Sequence, residues 1–268
     1  MSRTSTFCLV RGELRKIGFQ RTNWMLPALA VGLGILAANA AGDAAPRLGT
    51  FQYALDTYRA FAAAAIGVMM LGVSAQLVAA EYHWGTIRVV TGRGVGRLRL
   101  LGAKLAAVAL VGVPLLVLLA AAGTADLGVR LARHPNTVVW SEVWLSALVV
   151  VVSAGACAVL GAAAGAVGRS MTFALTVVAA FFPADNILGF VLPLIQNATQ
   201  EQVWANATTY LLGPTLNQLP AVLMTRPAAQ LVGPELPIDI THGLLVVATY
   251  VGLGFVAAIV ATQRDITN

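Results

Sequence analysis

Apolar residues in this chain gather into six runs separated by short polar or cationic stretches. The runs lie at about Trp24 to Ala41, Tyr58 to Ala80, Gly102 to Ala125, Trp140 to Gly168, Met171 to Ile195 and His242 to Thr262. Each is near or above the ~20 residues with which an α-helix crosses a ~30 Å hydrocarbon layer. None shows the alternation of a barrel strand, and lipid cannot satisfy an open backbone, so helices are expected. The fourth run is long enough to tilt or protrude. The fifth is interrupted by Pro183, Asp185, Asn186 and Pro193. The pattern predicts an all-α integral membrane protein with six transmembrane helices in one domain over residues 1–268.

Two segments break this pattern. From Thr6 to Gln20 the apolar residues Phe7, Val10, Leu14 and Ile17 recur at spacings of three and four, with Arg11, Arg15 and Lys16 on other faces. This predicts an amphipathic helix lying on the inner membrane surface, within a cytoplasmic segment 1–22. From Asn197 to Thr241 no apolar run is long enough to span, and Pro214, Pro220, Pro227, Pro234 and Pro237 punctuate the chain. Short helices that re-enter or cap the bundle before the last span fit residues 197–241, because broken backbone is tolerated at membrane depth where protein buries it.

Composition supports the membrane reading: 58% of residues are hydrophobic and 10% charged, against about 25% charged in soluble domains. The abundant Ala and Gly let helices approach closely. Cys8 and Cys157 are the only cysteines and are expected to be free thiols. The formal charge of +6 comes from cations beside the apolar runs, where anionic lipid headgroups attract them, and no basic stripe with interleaved aromatics points to nucleic acid. A signal peptide at the start is disfavoured, because its apolar region would be shorter. With the amino terminus inside, twelve Lys and Arg fall on the cytoplasmic side and five on the other, namely Arg47, Arg59, Arg130, Arg133 and Arg226. The expectation is a multi-pass protein of the bacterial inner membrane with both termini cytoplasmic. The Asn-x-Thr triplets at Asn197 and Asn206 carry no meaning in a bacterium.

Catalytic signals are sparse. The chain has no G-x-x-x-x-G-K-[ST] phosphate loop, so it is not expected to hydrolyse ATP by itself. His83, His134 and His242 are scattered without metal-ligand spacing, and no metal site is expected. Gly92-Arg93-Gly94-Val95-Gly96 follows no Rossmann strand and reads as a flexible cytoplasmic turn. Ser74, Gln76, Asp185 and Asn186 are polar residues inside the runs, and Gln76, Asp185 and Asn186 are candidates for a transport pathway. Asp185 has two readings: a helix break near the outer surface where water solvates the charge, or a group on the pathway. The stretch Glu81-Tyr82-His83-Trp84-Gly85-Thr86-Ile87-Arg88 closes the second run, and cations continue to Lys104. It reads either as a handle for a cytoplasmic partner or as a loop whose Tyr82 and Trp84 anchor the headgroup layer.

Glu81-x-x-x-Gly85-Thr86-Ile87, followed by Arg97 and Gly102-x-Lys104, resembles the E-x-x-x-G-T-[IL]…R…G-K stretch of permease subunits of type-two ABC exporters. Glu13-Leu14-Arg15-Lys16 is similar to the E-[LF]-x-K segment of that family, and Gln263-Arg264-Asp265-Ile266 to its R-[RK]-D ending. His83-Trp84, Arg15 and Gln263 depart from the usual fillings. The resemblance implies six helices, an amphipathic connecting helix carrying Glu13 and Lys16, and a coupling segment over 81–101 carrying Glu81, Trp84, Gly85, Thr86 and Arg88. It further implies a dimer, with a homodimer expected, and a separate cytoplasmic ATPase subunit that binds ATP and Mg, while this chain binds no cofactor. Glu81 would cap the coupling helix or pair with a cation, Gly85 would allow close backbone approach, and Trp84 would fill an apolar groove on the ATPase. The expected function is export of a hydrophobic or amphipathic substrate by alternating access. The alternative is a membrane scaffold or sensor that transports nothing; an intramembrane enzyme is a third reading.

Overall fold

The computed structural model describes residues 6–48, 51–92, 94–131, 140–223 and 238–264, and every regular element among them is helical. The amphipathic helix forms as expected: α1 covers Thr6–Phe19 and buries Glu13 and Ile17. A 3-10 turn at Arg21–Trp24 leads to α2, Met25–Leu48. Then follow α3 (Phe51–His83), α4 (Thr86–Gly92), α5 (Arg97–Leu131), α6 (Trp140–Gly168) and α7 (Met171–Thr199). Two short helices, α8 (Gln202–Thr208) and α9 (Leu212–Leu223), precede α10 (Ile240–Gln263). Five helices contain stretches long and apolar enough to cross a membrane: Leu55–His83, Arg97–Gly123, Trp140–Gly168, Met171–Thr199 and Ile240–Gln263. The described apolar part of α2 is shorter, Met25–Asn39. The chain is thus a multi-pass, all-α membrane protein by length and composition of its helices.

The fifth run needs correction, because α7 is one continuous helix through Pro183, Asp185, Asn186 and Pro193. A proline inside a spanning helix removes one donor, and the helix persists where its surroundings compensate. Pro114 is likewise accommodated inside α5. Sequence-level punctuation therefore overstated the break. Both ends of α7 are well made: the Ser170 hydroxyl accepts from Phe173 N at 3.1 Å, and Gln200 closes the helix at φ 60° while its N–H donates to Gln196 O.

The centre of the bundle is the pairing of α3 with α6. A Cβ at Gly161 would lie 2.2 Å from Leu71 O, and one at Gly165 would lie 2.6 Å from Ala75 O. Only glycine permits that approach, which is how small residues join helices where no hydrophobic effect operates between them. Ser74 Oγ donates to Ala158 O, and Ser153 Oγ donates to Ala63 O at 3.3 Å, tying the same pair with polar bonds. α5 joins on another side, where the Tyr58 hydroxyl donates to Leu119 O at 2.9 Å. Ile66, Met70, Val108 and Leu119 are almost fully buried among these helices.

Cross-links at the helix ends define two poles. Arg97 Nη1 donates to Thr262 O at 2.8 Å, and Arg99 Nη2 donates to Thr6 Oγ1 at 3.0 Å. The start of α1, the start of α5 and the end of α10 therefore share one pole with the loop after α3. At the opposite pole His242 Nε2 lies 3.1 Å from Thr209 O, and Tyr250 Oη donates to Tyr210 O at 3.2 Å, joining α10 to the segment between α8 and α9. The short helices expected in 197–241 are present as α8 and α9, while residues 224–237 of that segment lie outside the described residues.

Candidate functional site

The candidate site is built where the last turn of α3 meets α1 and the first turns of α5. Glu13 stands on the inner face of α1, packed beside Val10, Leu14 and Ile17, whose apolar stripe holds the helix against the core. Its Oε1 receives Lys16 Nζ at 2.7 Å, three residues along the same helix. Its Oε2 receives Lys104 Nζ from α5 at 3.0 Å. Glu81 closes the arrangement from α3, with Oε1 2.6 Å from Lys16 Nζ and 3.1 Å from Lys104 Nζ. Two carboxylates and two ammonium groups thus alternate in a closed box of zero net charge. Glu13, Glu81 and Lys104 are each at most 4% exposed, whereas the Lys16 side chain is 46% exposed. A third bond from Lys104 Nζ, 2.9 Å to Leu77 O, uses the carbonyl of the α3 turn before Glu81.

Such burial is tolerable only because each charge meets two of opposite sign. Burial lowers the pKa of Lys16, but hydrogen bonds to Glu13 and Glu81 and their negative charge outweigh it, so the ammonium titrates above its ordinary 10.5. Glu81 Oε2 is buried without a hydrogen-bond partner, so this carboxylate depends on the field of the two cations. Of the alternatives open for Glu81, pairing with cations is the one found. It does not cap α4, because it faces into the bundle at the end of α3; its carbonyl is 3.5 Å from Thr86 Oγ1.

Beyond Glu81 the chain turns outward. Trp84 is 72% exposed, and its ring meets His83 edge-on with centroids 5.0 Å apart. Gly85 adopts φ +66°, a left-handed conformation that side chains rarely take, and a Cβ there would meet open space. Within the chain Gly85 makes the turn between α3 and α4, and the space beside it is open. Thr86 opens α4 and is exposed; Arg88 belongs to α4, and its side chain lies outside the described residues, as does Arg93.

The opposite pole holds two of the pathway candidates, Asp185 and Asn186. Asp185 on α7 accepts from Leu212 N at 3.0 Å and from Gly213 N at 2.7 Å, so one carboxylate caps the first turn of α9 from another helix. The partial positive charge of a helix start favours an anion there. Asp185 and Asn186 line a cavity of about 30 Å³ together with Ser153, Cys157 and Asn217. Gln76 lies on α3, half-buried, and does not line that cavity. Next to the cavity Arg59, only 3% exposed, bonds Asp56 at 2.5 Å, Ser146 Oγ at 3.3 Å and Asn217 O at 2.6 Å.

The structure therefore unites Glu13, Lys16 and Glu81, and places Trp84, Gly85 and Thr86 on an exposed turn beside them. The sequence alone marks Lys104 only as part of a motif and of the charge count, and Arg59, buried at the other pole, only as an outer cation. The signal that could have found Arg59 is Asp56-x-x-Arg59, an ion pair at helical spacing at the start of an apolar run. No protein-family model matches the chain, and no curated protein matches it.

Proposed function

We propose that this chain is the membrane-spanning permease subunit of an ATP-driven ABC exporter, working as a homodimer beside separate ATPase subunits that bind ATP and magnesium. In this reading α2 and the five longer apolar helices form six spans in the inner membrane, and both termini face the cytoplasm. The twelve-to-five distribution of cations supports that orientation, since short flanking loops rich in Lys and Arg stay inside. α8 and α9 dip into the outer leaflet, and a hydrophobic or amphipathic substrate leaves by alternating access past the mostly apolar cavity that Asp185 and Asn186 help to line.

The observation that carries the reading is the exposed turn Trp84-Gly85-Thr86 and helix α4, at the pole shared by α1 and the end of α10, directly after a buried charge that fixes the end of α3. A large aromatic left in the open beside a rigid support is the kind of anchor that dominates protein interfaces. The motif resemblance at Glu81-x-x-x-Gly85-Thr86-Ile87 names the partner as an ATPase.

The test is to express the chain in membranes together with a candidate ABC ATPase subunit from the same genome and to compare wild type with Trp84→Ala. The expected result is co-purification of the ATPase with wild type, at least tenfold less with the variant, and equal amounts of folded permease. Full retention of both binding and coupled ATP hydrolysis by Trp84→Ala would exclude α4 as the docking element. A chain that recruits no ATPase would instead be a scaffold or sensor.

A further inference from the structure

We propose that the groove between α3, α6 and α7 seats an acyl chain of an anionic phospholipid from the surrounding leaflet, with the lipid phosphate at Arg169. The proposal rests on the apolar helices alone and not on the transporter reading.

Of the long apolar helices α7 is the least embedded: 12% of its most apolar stretch is buried, against 67% for that of α3. Where it leans on α3 and α6, the three helices leave a groove of about 270 Å³. Leu71 of α3, almost fully buried, lies at its floor, and Val167 of α6 and Phe173 of α7, each about half exposed, form its rim. Ala164, Val177 and Phe181 stand along its walls, and every residue that lines it is Ala, Val, Leu or Phe. Water stays in a cavity only where it finds two to four polar partners, so this groove excludes it. Phe173 and Phe181 are about 12 Å apart along α7, an elongated shape that fits a chain. Lipid tails are as apolar as leucine, so a tail is held here by fit, and selection among lipids falls to the end of the groove.

That end lies at the pole of Glu81. Gly161 meets Leu71 and Gly165 meets Ala75, so α6 runs toward the end of α3 and stops beside it at Gly168. The Phe173 ring takes the space that a Cβ at Gly168 would need, which brings the rim of the groove next to Arg169. Arg169 is exposed and donates its N–H to Gly165 O at 3.2 Å, with φ 51° where glycine or asparagine is usual. Its guanidinium matches a phosphate by paired N–H bonds, and the start of α7 that follows favours an anion at the same place. At the other end Phe181 separates the groove from the cavity of Asp185, since it lines both. A carboxylate beyond that wall repels an anionic headgroup, so the lipid has one orientation, phosphate at Arg169 and chain toward Phe181.

The test uses the full chain in lipid nanodiscs with a trace of phosphatidylglycerol or phosphatidylcholine, each carrying the same photoreactive diazirine acyl chain. Phosphatidylglycerol should label residues 164–181 about fivefold more than phosphatidylcholine does, the scale of one cation acting on an anionic lipid. The exposed face of α5 at Leu110, Val113 and Val117 should take up both lipids alike. Arg169→Gly accords with the positive φ, so it should fold as wild type does while losing the preference. Ala164→Phe fills the groove and should reduce labelling by both lipids to the level of the α5 face. Thermal unfolding reports whether each variant folds, and Arg169→Gly decides the headgroup assignment even if Ala164→Phe does not. Equal labelling by the two lipids in wild type, or a preference that survives Arg169→Gly, overturns the assignment of the phosphate to Arg169. Labelling of the groove no higher than that of the α5 face overturns the site and would mean that a second copy or another partner covers it.

Discussion

The two ends of α3 both bury charge, yet they secure it differently. At one end Glu81 belongs to a box drawn from three helices, and its bonds run from side chain to side chain. At the other end Arg59 finds its carboxylate on its own helix, three residues away at Asp56, and reaches its neighbours through the Ser146 hydroxyl and the Asn217 carbonyl. The second arrangement is local: the pair would persist in any state that keeps α3 helical, and it anchors α6 and α9 through neutral groups. The box exists only while α1, α3 and α5 stay together. A joint of the first kind can open without unfolding a helix, whereas a joint of the second kind holds as long as its helix does. That difference makes the pole at Glu81 depend on three helices staying together and the pole at Arg59 on one helix and its neutral neighbours.

The largest effect is expected at the pole of Arg59. Arg59→Leu removes the cation that stands 2.5 Å from Asp56, a carboxylate almost fully buried. Breaking a buried pair in this way costs about 3–5 kcal/mol. Thermal unfolding in detergent should show a loss of that order, and a chain of normal stability would contradict the division between the poles.

Lys104→Met should cost less, about 2–3 kcal/mol, because Lys16 continues to neutralise Glu13 and Glu81 while two charge-assisted bonds and the one to Leu77 O are lost. The same unfolding measurement ranks the two. If Lys104→Met proves the more damaging, the box is the principal support and the comparison is reversed.

Much of this architecture could be read in advance, and the misses all concern how helices pack. The periodicity of Phe7, Val10, Leu14 and Ile17 defined α1 because one face meets protein and the other does not. The existence of the long helices followed from apolar length, but not all their ends: α3 starts at Phe51 rather than near Tyr58, and α5 runs from Arg97 to Leu131, past both ends of its apolar run. What length cannot give is the rotation of a helix about its axis. α5 is apolar on all sides, so nothing in its pattern distinguishes Lys104 turned inward from a cation turned to lipid headgroups. Arg59 was hidden in the same way among the alanines of α3. Pro183 and Pro193 misled in the opposite direction, since a break inferred from propensity ignores the packing that carries α7 through them. Asp185 was conspicuous as an ionisable group in an apolar run, but its partner, the first turn of α9, is 27 residues away in the chain.

A smaller effect is expected from that carboxylate. Asp185→Asn keeps one acceptor for the α9 amides and loses the charge and the second, which for a helix cap is worth about 1–2 kcal/mol. The loss should be local to α9, visible as faster hydrogen exchange over residues 212–219 with exchange in α1 unchanged. A change spreading to α1 would show that the two poles are not independent. If transport falls while α9 exchange stays as in wild type, the pathway role of Asp185 stands apart from its role as a cap.

The smallest effect belongs to Lys16→Gln, since a pair whose ammonium is 46% exposed is screened by water and contributes under about 1 kcal/mol to global stability. Its dependence on pH identifies it. The pKa of Lys16 is raised in the folded chain above the ordinary 10.5, so the charged form is the one that folding favours. Stability from a raised pKa is fully present below the unfolded value and is lost as pH rises through the folded one. The difference in melting temperature between wild type and Lys16→Gln should therefore stay constant from about pH 7 to 9 and shrink only above about 10.5. Raising the salt concentration should reduce it at every pH, because the exposed half of the box is reached by counterions. A difference that already disappears between pH 7 and 9 would mean that the ammonium is not held by Glu13 and Glu81, and the box would lose its most accessible member.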